Sequence, residues 1–176
     1  MFGLGKPKIT ICELAAILFQ AVIDPQEESR DWDILKANIP DQGRFRSEWF
    51  CFRTFVTLSV AESAIDRRAY RALVDTYFHT LPTYAPSGAA VLQERVSRYV
   101  NISNSGKTRL RHGTMAVTCM EFSNLCSGDP KNGLLVGFAD LTALTFGRAQ
   151  LTRLKSFKLD WKSFVLADDG TVIRRA

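Results

Sequence analysis

Residues 47–65 read SEWFCFRTFVTLSVAESAI, an apolar run without proline or glycine in which only Glu48, Arg53 and Glu62 carry charge. Set on a helix at 100° per residue, its large side chains do not keep to one face. Trp49 and Val56 fall near one direction, Phe50 and Ala61 near another, Cys51 and Leu58 near a third. A helix that is apolar on every side belongs inside a bundle, with other helices around it. The aromatic and β-branched content also suits a strand. Length decides against that, because a strand usually runs about 5–6 residues and this stretch contains no turn chemistry.

Outward from this segment the chain reads as more helices. Thr10-Ile11-Cys12-Glu13 fits a capping box, with Ile9 and Leu14 at the positions of a hydrophobic staple. A first helix is expected from there to Asp24, where Pro25 disfavours helical geometry in the residue before it. It is apolar almost all round and should be well covered. An acidic loop, Asp24 to Asp33, leads into a short helix over 31–39 with Trp32, Leu35 and Ile39 on one face. Asp41-Gln42-Gly43 reads as a turn before the central helix.

After it, Arg67 to Leu81 shows apolar pairs at three- and four-residue steps, closed by Pro82. A further helix is expected over 87–100, and Asn101 to Gly106 (NISNSG) reads as a mobile turn-rich link. From residue 107 the helical pattern resumes through 125, and Met115, Cys119, Phe122 and Cys126 make one stripe. The last long helix is expected over 134–157, densely apolar in its first half and basic in its second, with Gly147 as a bend. Phe164–Ala167 and Thr171–Ile173 around Asp168-Asp169-Gly170 suggest a hairpin, which is marginal in water unless it docks. The expected fold is therefore mostly α: a six-helix bundle around a buried central helix (47–65), with a small C-terminal β-hairpin. Residues 1–160 form the bundle, and 161–176 form a hairpin or tail packed on it.

At 176 residues the chain is long enough for one domain that buries about 70% of its unfolded surface. Its composition is ordinary for a globular protein, 46% hydrophobic and 23% charged. The +5 net charge is uneven. Residues 1–88 hold 10 basic and 11 acidic side chains; residues 89–176 hold 13 and 7. Four cysteines without CxxC spacing and two histidines give no zinc framework, so buried free thiols and a cytoplasmic location are expected. Lys6 and Lys8 precede an apolar stretch, but Glu13 interrupts it and no cleavage site follows. That stretch is also shorter than the roughly 20 residues needed to span a bilayer.

Catalytic patterns do not assemble. Gly3-Leu4-Gly5-Lys6 lacks the spacing of a phosphate loop, and no Gly-x-Ser-x-Gly elbow occurs. A di-metal carboxylate bundle needs Glu-x-x-His steps, and Glu48, Glu62 and Glu121 have no histidine three residues on. No metal or cofactor is expected. Glu62, near the end of a buried helix, needs a partner, which Arg67 or Arg68 could supply. His79 reads as a residue of a helix's last turn. An enzyme would have to draw its groups from around His112, Glu121 and His79.

The usable signal is basic. Arg95, Arg98, Lys107, Arg109 and Arg111 put five positive charges in 17 residues with no acid among them, and His112 adjoins them. Arg148, Arg153, Lys155, Lys158 and Lys162 make a second run, broken only by Asp160. Such a surface attracts anions. The expectation is a non-enzymatic interaction or regulatory protein, an adaptor or immunity-type inhibitor. It would bind an acidic protein partner through Arg95, Arg98, Lys107, Arg109, Arg111, His112, Arg148, Arg153 and Lys155. Nucleic acid is the alternative partner, although no helix-turn-helix or base-stacking signature supports it. A small-molecule or lipid site among the helices is the other alternative.

Overall fold

The computed structural model describes residues 6–24, 35, 39, 41–84, 88–109, 114–160, 164–166 and 172–174. Among them the chain is mostly α, with helices α1 (Ile11–Val22), α2 (Gln42–Ala64), α3 (Arg67–Tyr84), α4 (Ala89–Arg109), α5 (Thr114–Ser127) and α6 (Gly133–Ser156). Two small two-stranded sheets accompany them: β1 (Lys8–Ile9) beside β2 (Lys158–Leu159), and β3 (Phe164–Leu166) beside β4 (Val172–Arg174).

The central helix is α2, and every residue from Cys51 to Leu58 is buried. It starts earlier than expected. The Asp41 carboxylate accepts the Arg44 N–H at 2.9 Å, so Gln42 and Gly43 enter the first turn instead of forming a loop. Arg53 lies within this core at 2% exposure. Its guanidinium sits 5.0 Å from the Trp49 ring centroid and 4.4 Å from that of Phe146, and Nη2 donates to the Ala21 carbonyl at 2.5 Å. Those contacts fix the layout. Phe138 packs on Phe45 and Trp49, and Phe146 lies on Arg53, so α6 runs in the same direction as α2. In α1 the order is reversed, with Ala21 at Arg53 and Leu14 and Ala15 in one cluster with Ala61.

One large core, centred on Phe45, Phe52, Phe55, Tyr99 and Phe122, occupies most of the bundle. A second cluster (Ile11, Leu14, Leu18, Ala61, Leu73, Leu154) fills the end nearest β1 and β2. Leu35 and Ile39 are buried in the large core; the rest of the short helix expected over 31–39 lies outside the described residues. Three further boundaries differ from the sequence reading. Helix α3 continues through Pro82 to Tyr84, although Pro82 has no N–H to give the Phe78 carbonyl. Helix α4 runs through Asn101–Gly106 to Arg109, because its contact with α5 outweighs the poor helix propensity of that segment. Helix α5 accordingly starts later, at Thr114.

The hairpin is present as β3 and β4, antiparallel with Val165 opposite Ile173, and both strands lie against α3. The β1–β2 pairing had no counterpart in the sequence reading. It is parallel, held by Lys158 N–H to the Pro7 carbonyl (2.9 Å) and Asp160 N–H to the Ile9 carbonyl (2.8 Å). Among the described residues no helix is long and apolar enough to cross a membrane.

Candidate functional site

Arg95 and Arg98 of α4 each pair with an acid of another helix. Arg95 Nε lies 3.2 Å from Glu48 Oε1, and Arg98 Nη2 lies 2.5 Å from Glu121 Oε1. Glu48 is only 5% exposed and also accepts a long hydrogen bond from the Tyr99 hydroxyl, at 3.5 Å. Burial raises the Glu48 carboxyl above its ordinary value, while the neighbouring Arg95 and Arg44 partly oppose that rise. Burial likewise pushes the Tyr99 phenol up, and the Glu48 charge adds to it. Two of the expected anchors are therefore tied to acids of the same chain. Lys107 and Arg109 form part of the last turn of α4; Arg111 and His112 lie outside the described residues.

The second basic run stands elsewhere. Arg148 and Lys155 are exposed on α6, and Arg153 is half-buried, its Nη1 enclosed without a hydrogen-bond partner among the described residues. Lys155 adjoins Ala64 and Ile65. Glu48, the level of Arg95, lies 16 residues earlier on α2, which is about 24 Å along a helix axis. Arg95 thus lies well away from Lys155 along α2.

At the Lys155 end, chain pairing gathers other cations. Lys8 and Lys158 are Cα partners in the β1–β2 register and both are exposed. The next pair in register, Ile9 and Leu159, packs instead on the second core cluster. Alternation along a strand thus turns both lysines outward on the same side. Beside them a slot of about 250 Å³ has Ile9, Leu14, Ile65, Leu154 and Phe157 in its walls and Lys6 and Lys155 at its edge. Two carboxylates stand near this corner. Glu13 is held by the Thr10 N–H (2.7 Å) and hydroxyl (3.0 Å) in the expected capping box, and Asp160 is engaged within the chain. Lys6 and Lys8 had been visible only as charges ahead of the first helix; a two-residue strand carries too few side chains to signal its partner.

Burial pushes the thiols of Cys51 and Cys119 up to about 12 and that of Cys126 up as well, which suppresses thiolate. Cys12 departs from the expectation of a buried thiol, since it lies on the exposed outer stripe of α1. Among the described residues no three His, Cys, Asp or Glu side chains gather as a metal site. His79 is exposed on α3. The first half of α6 is less enclosed than its composition suggested, with Leu141 58% and Leu144 52% exposed. No known protein family, curated protein or solved structure matches the chain.

Proposed function

We propose that the chain is a non-enzymatic interaction protein that holds an acidic protein partner on a basic surface, centred on the corner of Lys6, Lys8, Lys155 and Lys158. The observation that carries this reading is the register of Lys8 against Lys158. Like charges placed opposite one another in a sheet cost stability, and an anionic partner would relieve that cost. The slot beside them adds a place for an apolar side chain of the partner, so charge steers the encounter and burial supplies affinity. Arg148 belongs to the same end of α6 and extends the field. Arg95 and Arg98, tied to Glu48 and Glu121, act on the partner less than on the bundle itself.

The test uses the wild-type chain and a Lys8→Glu/Lys155→Glu/Lys158→Glu variant as baits for co-purification, followed by binding measurements with the purified partner. The reading expects a partner with an acidic surface whose affinity falls at least about tenfold in the variant, the scale of one lost charge-assisted contact. Equal affinity for both baits overturns it. A nucleic acid in that role would show instead as binding to mixed-sequence duplex, with affinity dropping steeply as salt is raised.

A further inference from the structure

On another side of α2, a second cavity of about 440 Å³ opens between α2, α3, α4 and the start of α5. It exists because α4 does not stop at Val100. The continued helix carries Ser103 and Asn104 across from Ser59 and Glu62, and Met115 closes the end. The floor is apolar, with Phe55 and Val100. The walls are hydrogen-bonding, with the hydroxyls of Ser59, Ser63, Ser103 and Tyr70 and the Asn104 amide. The volume falls within the range of small-molecule sites, which commonly lie between the helices of bundles.

The charge pattern of the lining is one-sided. Among the described residues Glu62 is the one carboxylate of the lining, which holds no Lys, Arg or His. The ion pair expected between Glu62 and Arg67 or Arg68 does not form among the described residues; the Asp66 carboxylate accepts the Arg68 backbone N–H at 2.7 Å. Tyr70, half-buried beside Glu62, has its phenol pushed up by burial and then by the Glu62 charge, so it remains an O–H donor at neutral pH. Ser63 donates its proton to the Val60 carbonyl at 2.8 Å, leaving its oxygen lone pairs to accept.

We propose that this cavity binds a small organic cation, an amine on a compact apolar body. The ammonium group would sit against the Glu62 carboxylate and the seryl oxygens, and the body would lie on Phe55, Val100 and Met115. A neutral alcohol of the same shape would keep the apolar contact and lose the charge-assisted hydrogen bond; a carboxylate would face Glu62 and be repelled. The site is separate from the lysine corner, and its occupant carries the opposite charge to the partner proposed there.

The probes are 2-phenylethylamine, 2-phenylethanol and 3-phenylpropanoate, titrated into the isotopically labelled full chain and followed by amide and methyl resonances. The amine is expected to shift the signals of Ser59, Glu62, Ser103 and the Met115 methyl, with the alcohol about tenfold weaker and the carboxylate without effect, as one charge-assisted contact implies. Because Glu62 is exposed, Glu62→Gln should fold normally and bind the amine about tenfold more weakly. Ser59→Phe, which fills the cavity, should abolish the shifts. Equal binding of amine and alcohol, shifts confined to other surfaces, no shifts at all, or unchanged amine affinity in either variant overturns the proposal.

Discussion

Arg95 reaches Glu48 from the neighbouring helix, Nε to Oε1 at 3.2 Å, and joins α4 to the central helix at a point where the carboxylate is almost wholly enclosed. A buried pair of this kind contributes little by being present, because desolvation offsets its attraction. Removing one member is a different matter, since the other is left charged in a poor solvent. What looked in the sequence like a handle for a partner is, at this position, a joint within the bundle.

Replacing Arg95 with Met should therefore destabilise the fold, by about 2 kcal/mol at pH 7, below the figure for a fully buried pair because Arg95 is partly exposed. The cost should depend on pH. Burial holds the folded Glu48 carboxyl above its ordinary 4.5, so the folded chain takes up this proton at a higher pH than the unfolded one. The stability contributed by the protonated form is complete below the unfolded value and is lost as pH rises through the folded value. Urea titrations from pH 4 to 7 should show the Arg95→Met deficit growing with pH, and Glu48→Gln gaining on the wild type over the same range. A deficit independent of pH would mean that Arg95 acts by packing alone.

Gly147 sits buried where α6 passes α2, and a methyl group added there would meet Val56 Cγ1 at 3.4 Å and Val60 Cγ2 at 3.6 Å, ordinary contact distances. Gly147→Ala should raise stability by roughly 0.5–1 kcal/mol, the helical preference of alanine over glycine. Gly147→Leu should lower it by about 1–3 kcal/mol through overpacking. Thermal unfolding of both variants measures the two signs; a destabilised alanine variant would show that α2 and α6 approach more closely than these distances allow.

The helical architecture was legible because it depends on patterns that local sequence carries. Trp49 to Leu58 are apolar on every helical face, and all-round burial from Cys51 to Leu58 is the structural counterpart. The Thr10–Glu13 box was readable for the same reason, as both partners lie within one turn. Asn101–Gly106 misled, because weak helix formers become helical when an adjoining α5 covers them, and propensity does not report that neighbour. The candidate site was least legible. Arg95 and Arg98 announce positive charge, but whether Glu48, 47 positions earlier, lies beside them is a matter of helix packing. Lys8 and Lys158 meet only because the two ends of the bundle's chain return to one corner.

Helix caps should contribute in proportion to the backbone donors they satisfy. Thr10 takes the Glu13 N–H at 3.1 Å, Asp41 the Arg44 N–H at 2.9 Å and Asn132 the Leu135 N–H at 3.3 Å. Thr10→Ala and Asp41→Ala should each cost about 1 kcal/mol, and Asn132→Ala somewhat less for its longer bond. Glu13 adds a pH signature to the first. Its hydrogen bonds from Thr10 lower the carboxyl's pKa, so its contribution is present above the unfolded value and lost as pH falls through the folded one. Denaturant midpoints for the three variants, compared at neutral pH and pH 3.5, test both statements; a Thr10→Ala deficit that did not shrink in acid would contradict the second.

Lys8 opposite Lys158 makes a further prediction in which stability and binding move in opposite directions. Facing like charges in a sheet are unfavourable, and opposite charges favourable, on a scale of about 0.2–1 kcal/mol per pair. Lys8→Glu should therefore stabilise the chain by roughly 0.5 kcal/mol, and so should Lys158→Glu, while the double reversal restores a like-charged pair and returns to near the wild type. The non-additivity isolates the pair from whatever else each lysine does. It should shrink as salt is raised from about 0.01 to 1 M, since both groups are exposed and their interaction is screened. The same single reversals that stabilise the free chain should weaken the acidic partner, because the repulsion they relieve is the one that partner would neutralise. Additive single effects with no salt dependence would mean that the two ammonium groups turn away from each other, and the corner would then lose its claim as the contact surface.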